Sequence, residues 1–367
     1  MSRVVVVLIV LTGIFFLNCC ENSKPRTDGA DAENSIILKL KQIKGEGILF
    51  GHQDDLAYGV GWEYVDGESD VKRVAGDYPA LFGWELGGLE LGHEVNLDSV
   101  PFHDMKRFAE WAHANGGINT FSWHPHSPIN SINSWHGDSI VVPHILPGGE
   151  YNEQFNSQLD KVAAFFFGLK DSTGNQIPFI FRPWHEMDGG WFWWGSKACS
   201  PDEFKSLFRY TIDYLHEKGI GNMVVAYSPD RNFDTKEEYL QWYPGDELVD
   251  ILGMDNYYDL KHPGGEQEAI RKLHLVIELA NEKDKLAALT ETGLEFVPDT
   301  LWYSQKLGSV LNDPVVKKEI SYAMVWRNDS EKHFFFPYPG QAAAADAKAL
   351  LDQPHIWLLN EFNHFKK

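Results

Sequence analysis

Cysteine is nearly absent: three occur in 367 residues, and two of them, Cys19 and Cys20, are adjacent near the N-terminus. Cys199 is the third, so the body of the chain can build neither a disulfide framework nor a cysteine metal site. Positive charge is also scarce, with 32 Lys and Arg against 53 Asp and Glu, a net charge of −21 with histidine neutral. A surface of that sign repels phosphate backbones, which argues against nucleic acid and other anionic polymers as partners. Past residue 35 no Ser/Gly/Pro tract, charge block or fixed-period repeat divides the chain. The glycine pairs at 87–88, 148–149, 189–190 and 264–265 lack the context of a phosphate loop. Apolar residues, at 43%, suffice for a large core, and 23% charged residues disfavour both disorder and a multipass membrane protein. What is abundant is tryptophan: 13 are more than packing normally asks for, and some are expected on a binding surface.

The N-terminus reads as an address. Arg3 precedes an apolar run from Val4 to Leu17, too short for a confident membrane span and followed by Asn18-Cys19-Cys20 and a polar stretch. A cysteine directly after such a run, with Leu17 three residues before Cys20, resembles a bacterial lipoprotein signal. The expectation is a signal peptide over 1–19, lipidation at Cys20, a tether over 20–35 and a single domain over 36–367, exported and held at a membrane by its lipid. Cys19 is the alternative lipidation site, and an ordinary cleaved signal or an uncleaved anchor are the alternative readings.

Eight short apolar runs follow, at 47–50, 80–84, 118–123, 178–183, 223–227, 249–254, 286–290 and 320–326, separated by helix-like stretches. Phe102, Met105, Phe108, Ala109 and Ala112 recur at helical spacing, as do Phe204, Leu207, Phe208, Ile212 and Leu215. Ser200-Pro201-Asp202-Glu203 supplies an N-cap, a first-turn proline and acidic residues at the positive helix end, and Gly219 is a stop. Eight nearly continuous apolar strands alternating with helices predict a (β/α)8 TIM barrel, with an open doubly wound sheet as the alternative.

In a barrel the chemistry gathers at the C-terminal ends of the strands. There this sequence places His52-Gln53-Asp54-Asp55, Trp84-Glu85, Trp123-His124-Pro125-His126, Trp184-His185-Glu186, Asp255-Asn256-Tyr257-Tyr258, Glu291-Thr292-Gly293 and Trp326-Arg327-Asn328. Aromatics mixed with carboxylates and histidines suit a carbohydrate, whose flat faces stack on rings while its hydroxyls take hydrogen bonds. Glu186 and Glu291, at the ends of strands four and seven, form the sharpest pair. Retaining glycoside hydrolysis needs two carboxyls about 5–5.5 Å apart, one protonating the departing oxygen and one attacking the anomeric carbon. Either glutamate could instead be a rim ion-pair partner of Arg182, Arg327 or a lysine. His124-Pro125-His126 superficially imitates a metallohydrolase pair, but no full ligand set accompanies it, and neither metal nor organic cofactor is expected.

The stretch Arg182-Pro183-Trp184-His185-Glu186-Met187-Asp188-Gly189-Gly190-Trp191-Phe192-Trp193-Trp194-Gly195, with Glu291-Thr292-Gly293 and Trp326-Arg327, resembles glycoside hydrolase family 26, best known for β-1,4-mannanases. The resemblance runs from about residue 40 onward. It implies a (β/α)8 fold and a retaining double displacement with Glu186 as acid/base and Glu291 as nucleophile. It further implies substrate-side roles for His124, His185, Trp191, Trp326 and Arg327, with His185 positioning the nucleophile or the sugar. Tyr257 or Tyr258 would hydrogen-bond the nucleophile, with Tyr257 preferred. Arg182 reads as a buried donor holding the carboxylates, while Trp193 and Trp194 are open between packing and ligand contact, and Trp135 inclines to packing. The implied partner is β-mannan or a manno-oligosaccharide acted on by a monomer, with release of mannobiose expected if the loops 86–100 or 126–151 wall the cleft. Mixed-linkage β-glucan and β-1,3-xylan are the alternative substrates. A non-catalytic carbohydrate-binding lipoprotein, the reading from a different class, would be expected to have lost one of the two glutamates, and both are present.

Overall fold

The computed structural model describes residues 30–365; the export signal and Cys20 lie outside the described residues. Eight parallel strands close into a barrel: β1 (Ile48–Gln53), β2 (Leu81–Glu85), β3 (Ile118–Trp123), β4 (Phe179–Pro183), β5 (Met223–Tyr227), β6 (Ile251–Asp255), β7 (Leu286–Thr292) and β8 (Ile320–Val325). Each pairs with its sequence neighbour, and β8 returns to β1 with Leu49 opposite Tyr322 and His52 opposite Val325. Every residue of all eight strands is buried. That explains why they read as apolar runs and not as alternating patterns: one face meets the barrel interior and the other the helices.

Alternate strand residues divide between two cores. Leu49, Val224, Ala226 and Ala288 fill the barrel interior, whereas Ile48, Phe50, Met223, Val225, Tyr227 and Leu289 pack outward against the helices. The N-terminal helix Ala30–Ile43 presses Ile36, Leu40 and Ile43 into the interior cluster beside Ile118, Ile251 and Leu286 at the strand starts, so it plugs the bottom of the barrel. Residues 30–35, at the end of the expected tether, belong to this helix. The buried Ile36, Leu40 and Ile43 side chains contribute roughly 1.5–3 kcal/mol each.

The two helices predicted from periodicity form as Phe102–Ala114 and Pro201–Glu217 and bury the expected residues. Ser200 and Glu203 make a reciprocal capping box: the Ser200 hydroxyl accepts from the Glu203 amide, and the Glu203 carboxylate accepts from the Ser200 amide. Among the described residues no helix is long and apolar enough to cross a membrane. Most of the tryptophan excess lies inside: Trp84, Trp123, Trp184, Trp193, Trp194 and Trp302 are fully buried, while Trp135 and Trp191 remain exposed. Packing is therefore the answer for Trp193 and Trp194.

Candidate active site

The loops at the C-terminal strand ends bring Glu186, Asp255 and Glu291 together, with one carboxylate oxygen from each within 4.8 Å of the others. The register slips between Met254 and Asp255, so that Asp255 stands opposite Glu291 while Met254 faces Leu289. Such an irregularity at a barrel rim re-aims a side chain. Here it sets Asp255 abreast of Glu291.

Arg182, on β4 and fully buried, bridges the two. Its Nη1 donates to Asp255 Oδ2 at 2.8 Å and its Nη2 donates to Glu291 Oε1. Tyr257 completes the grip by donating its hydroxyl to Glu291 Oε2 at 2.8 Å, which identifies it over its neighbour Tyr258 as the partner of Glu291. Asp255 also accepts from the Ser228 hydroxyl at 2.7 Å. Burial pushes the Asp255 carboxyl up, against the pull of Arg182, and the Glu291 charge adds to the rise. Three carboxylates this close could hold a cation. In this site Arg182 already supplies the positive charge between Asp255 and Glu291.

Glu186 is held differently. Its backbone adopts φ 54°, as Trp184 two residues earlier adopts 55°, a left-handed conformation that costs a non-glycine residue of order 1–3 kcal/mol. The strain turns the chain off β4 and aims the carboxyl over the mouth, with the Glu186 amide anchored on Ser228 O at 2.8 Å. Trp191 Nε1 donates to Glu186 Oε2 at 2.8 Å. That ring lies over Gly189, where a Cβ would stand 2.3 Å from it, so glycine is required there for the ring to reach the carboxyl. Burial, followed by the charges of Asp255, Glu291 and Asp230, raises the Glu186 pKa well above the ordinary carboxylate value. One carboxyl is thus prepared as a proton donor, while the other lies against a permanent cation.

The two histidines meet each other. His124 and His185 place their Nε2 atoms 3.0 Å apart, and His124 Nδ1 lies 2.8 Å from Glu85 Oε2. His185, expected beside the nucleophile or the sugar, therefore has His124 as its hydrogen-bonding partner, and Arg182 and Tyr257 take the place beside Glu291. His126 turns elsewhere, with Nδ1 2.9 Å from the buried Glu90, so the His124/His126 pair serves two separate carboxylates and not one metal. Trp135 stacks on His124 with ring centroids 5.0 Å apart and remains 52% exposed. Trp326 is partly buried, 6.4 Å from the His124 ring. Arg327, across the mouth, pairs with Asp98 at 2.9 Å and donates to the Tyr58 hydroxyl at 3.2 Å, while Tyr58 donates to Asp54 at 2.6 Å.

Asp98 and Asp230 belong to this constellation without having been named from sequence, and Glu85 and Asp255 were placed at strand ends without being given a role. For Glu85 and Asp255 the signal was present: each is an acidic residue closing an otherwise apolar strand.

Comparison with known proteins agrees with this geometry. Glycosyl hydrolase family 26 matches residues 27–329. A mannan endo-1,4-beta-mannosidase of Bifidobacterium adolescentis is 33% identical over 349 residues, covering 88% of this chain and 34% of that protein. One from Bacillus subtilis is 30% identical, covering 51% and 53% respectively, so the chain spans about a third to a half of the length of these relatives. Among solved structures, a β-mannanase from Bacteroides ovatus superposes with a TM-score of 0.85 at 42% identity, covering 90% of this chain and 95% of that one. An endo-β-1,4-mannanase double mutant from Cellulomonas fimi gives 0.84 at 32% identity, covering 91% and 77%.

Proposed function

This chain belongs to glycosyl hydrolase family 26, and from that membership we propose that it hydrolyses β-1,4-mannosidic linkages with retention of configuration. The observation that carries the reading is the Glu186–Glu291 pair, with carboxylate oxygens within 4.8 Å and unlike surroundings. That spacing is nearer the roughly 5–5.5 Å carboxyl separation of retaining enzymes than the roughly 6.5–9.5 Å of inverting ones, which favours direct attack by a carboxylate.

In the first step Glu291, aimed by Arg182 and Tyr257, attacks the anomeric carbon while Glu186 gives its proton to the departing oxygen. The C–O bond to the leaving sugar breaks, and a glycosyl ester forms on Glu291. Glu186, now ionised, takes a proton from a water that attacks the same carbon, and Glu291 departs. Each named side chain performs a step for which its surroundings prepare it, with no metal or organic cofactor in the scheme. The names of the relatives support mannan as the substrate. Export and lipidation of Cys20 are inferred from the apolar run and cysteine at the N-terminus.

The test is the product time course from soluble β-1,4-mannan and mannopentaose, beside lichenan and β-1,3-xylan. The reading expects mannan cleavage with β-configured first products. Mannobiose alone at the earliest times assigns chain-end action, and a ladder of sizes assigns internal cleavage. Cleavage of lichenan or xylan without mannan would overturn the substrate.

A further inference from the structure

The leaving group's side of the cleft can be located from the acid. A general acid must stand beside the glycosidic oxygen, so the departing sugar lies on the Glu186 side of the scissile bond. Glu186 is tied to the loop after β5 by its amide on Ser228 O, and two residues on, Asp188 accepts from the backbone amides of Asp230 at 2.7 Å and Asn232 at 2.9 Å. The next loop, after β6, contributes Tyr258, directly following the tyrosine that holds the nucleophile. Its ring is 53% exposed, and the Arg231 guanidinium lies 3.8 Å from the ring centroid. Arg231 Nε is buried without a hydrogen bond, 4.0 Å from Asp259 Oδ1. The opposite side of the mouth, at β8, β1 and β2, is occupied by the Arg327, Asp98, Tyr58 and Asp54 cluster.

We propose that Asp230, Arg231 and Tyr258 form the subsite that receives the leaving sugar, a neutral β-linked hexose bearing free hydroxyls. This assignment rests on the glycosidase reading above and adds to it the residues that recognise the departing half of the substrate. The Tyr258 ring, with its cationic neighbour, gives a flat ledge for an apolar sugar face. Asp230 and the guanidinium give hydroxyls an acceptor and a donor. Burial and the Asp188 charge push the Asp230 carboxyl up to about 7, so near neutrality it can also donate. Because Asp230 raises Glu186 as well, a sugar hydroxyl bound to it sits within the field that sets the acid.

The experiment compares kcat/KM on mannopentaose, whose leaving group is a sugar, with kcat/KM on 2,4-dinitrophenyl β-mannobioside, whose leaving group is not. In Tyr258→Ala and in Arg231→Ala the ratio of the two is expected to fall five- to tenfold, about what one neutral hydrogen bond or ring contact provides. Tyr258→Phe, which keeps the ring, is expected to retain at least half of the wild-type ratio. An unmoved ratio in both alanine variants, or an equal loss on both substrates, overturns the assignment while leaving the glycosidase reading in place. A wild-type protein inactive on both substrates overturns the two together.

Discussion

His124 Nε2 and His185 Nε2 lie 3.0 Å apart, and across that contact one ring must donate and the other accept. Their surroundings decide which. Burial works against a charged His124, but the charge and hydrogen bond of Glu85 outweigh it and raise its pKa. For His185, burial and then the Arg182 charge act together, and its pKa falls well below the ordinary value. Below about pH 6.5 His124 is therefore the charged ring and donates from both nitrogens, to Glu85 and to His185.

The first prediction is a split histidine titration. Ring nitrogen NMR should show His124 still protonated above pH 6.5 and His185 still neutral well below it. The raised His124 stabilises the fold fully below its unfolded pKa, and that contribution is lost as pH rises through its folded value. His185 works with the opposite sign. Unfolded imidazole takes up a proton below about pH 6.5 that the folded site refuses, so its contribution falls as pH drops below that point. Glu85→Gln should bring the His124 titration down, and an unchanged His124 would contradict the pairing.

In the proposed mechanism Glu186 must be protonated to act, so activity should be lost as pH rises through its raised pKa. The Trp191 N–H favours the ionised carboxylate and lowers that value. Trp191→Phe removes the donor and should move the alkaline limb of kcat/KM to higher pH, with a lower plateau from poorer aim. A limb shifted downward would show that Trp191 does not act on the acid.

Arg182→Met should be among the most damaging single changes, because it leaves Asp255 and Glu291 buried without their cation. Loss of one partner of a buried pair costs about 3–5 kcal/mol. Urea unfolding should register that loss, and kcat should fall with it at temperatures where the variant remains folded.

Gly189→Ala places a methyl group where the Trp191 ring lies. A stability loss of about 1–3 kcal/mol is expected from the overpacking, together with reduced kcat. In a double-mutant cycle the kcat effect should largely vanish in the Trp191→Ala background, since both changes act through the same ring. Full additivity would separate the two positions.

The barrel was legible because its strands are buried on both faces, so each appeared as a nearly continuous apolar run close to its observed bounds. Glu186 and Glu291 were proposed from sequence because Glu291 closes such a run and Glu186 follows one by three residues, and the barrel brings the two together. Glu85 and Asp255 end runs too, but their roles depend on His124 and Arg182, partners that lie 39 and 73 residues away along the chain. Nothing local in the sequence records that His185 faces His124, because strand-end side chains find their partners only once the barrel closes. Tryptophan misled in part: its count suggested a binding surface, whereas most of it is buried, as where Trp184, Trp193 and Trp194 pack edge to face with centroids 5.2–5.4 Å apart.

The most direct test of the double displacement is to trap its intermediate. Incubation with a 2-deoxy-2-fluoro-mannosyl donor carrying a good leaving group, followed by mass spectrometry of the digested protein, should find the sugar esterified to Glu291 and absent from the Glu291→Ala variant. An adduct on another residue, or turnover by folded Glu291→Ala, would contradict the assignment of Glu291 as the nucleophile.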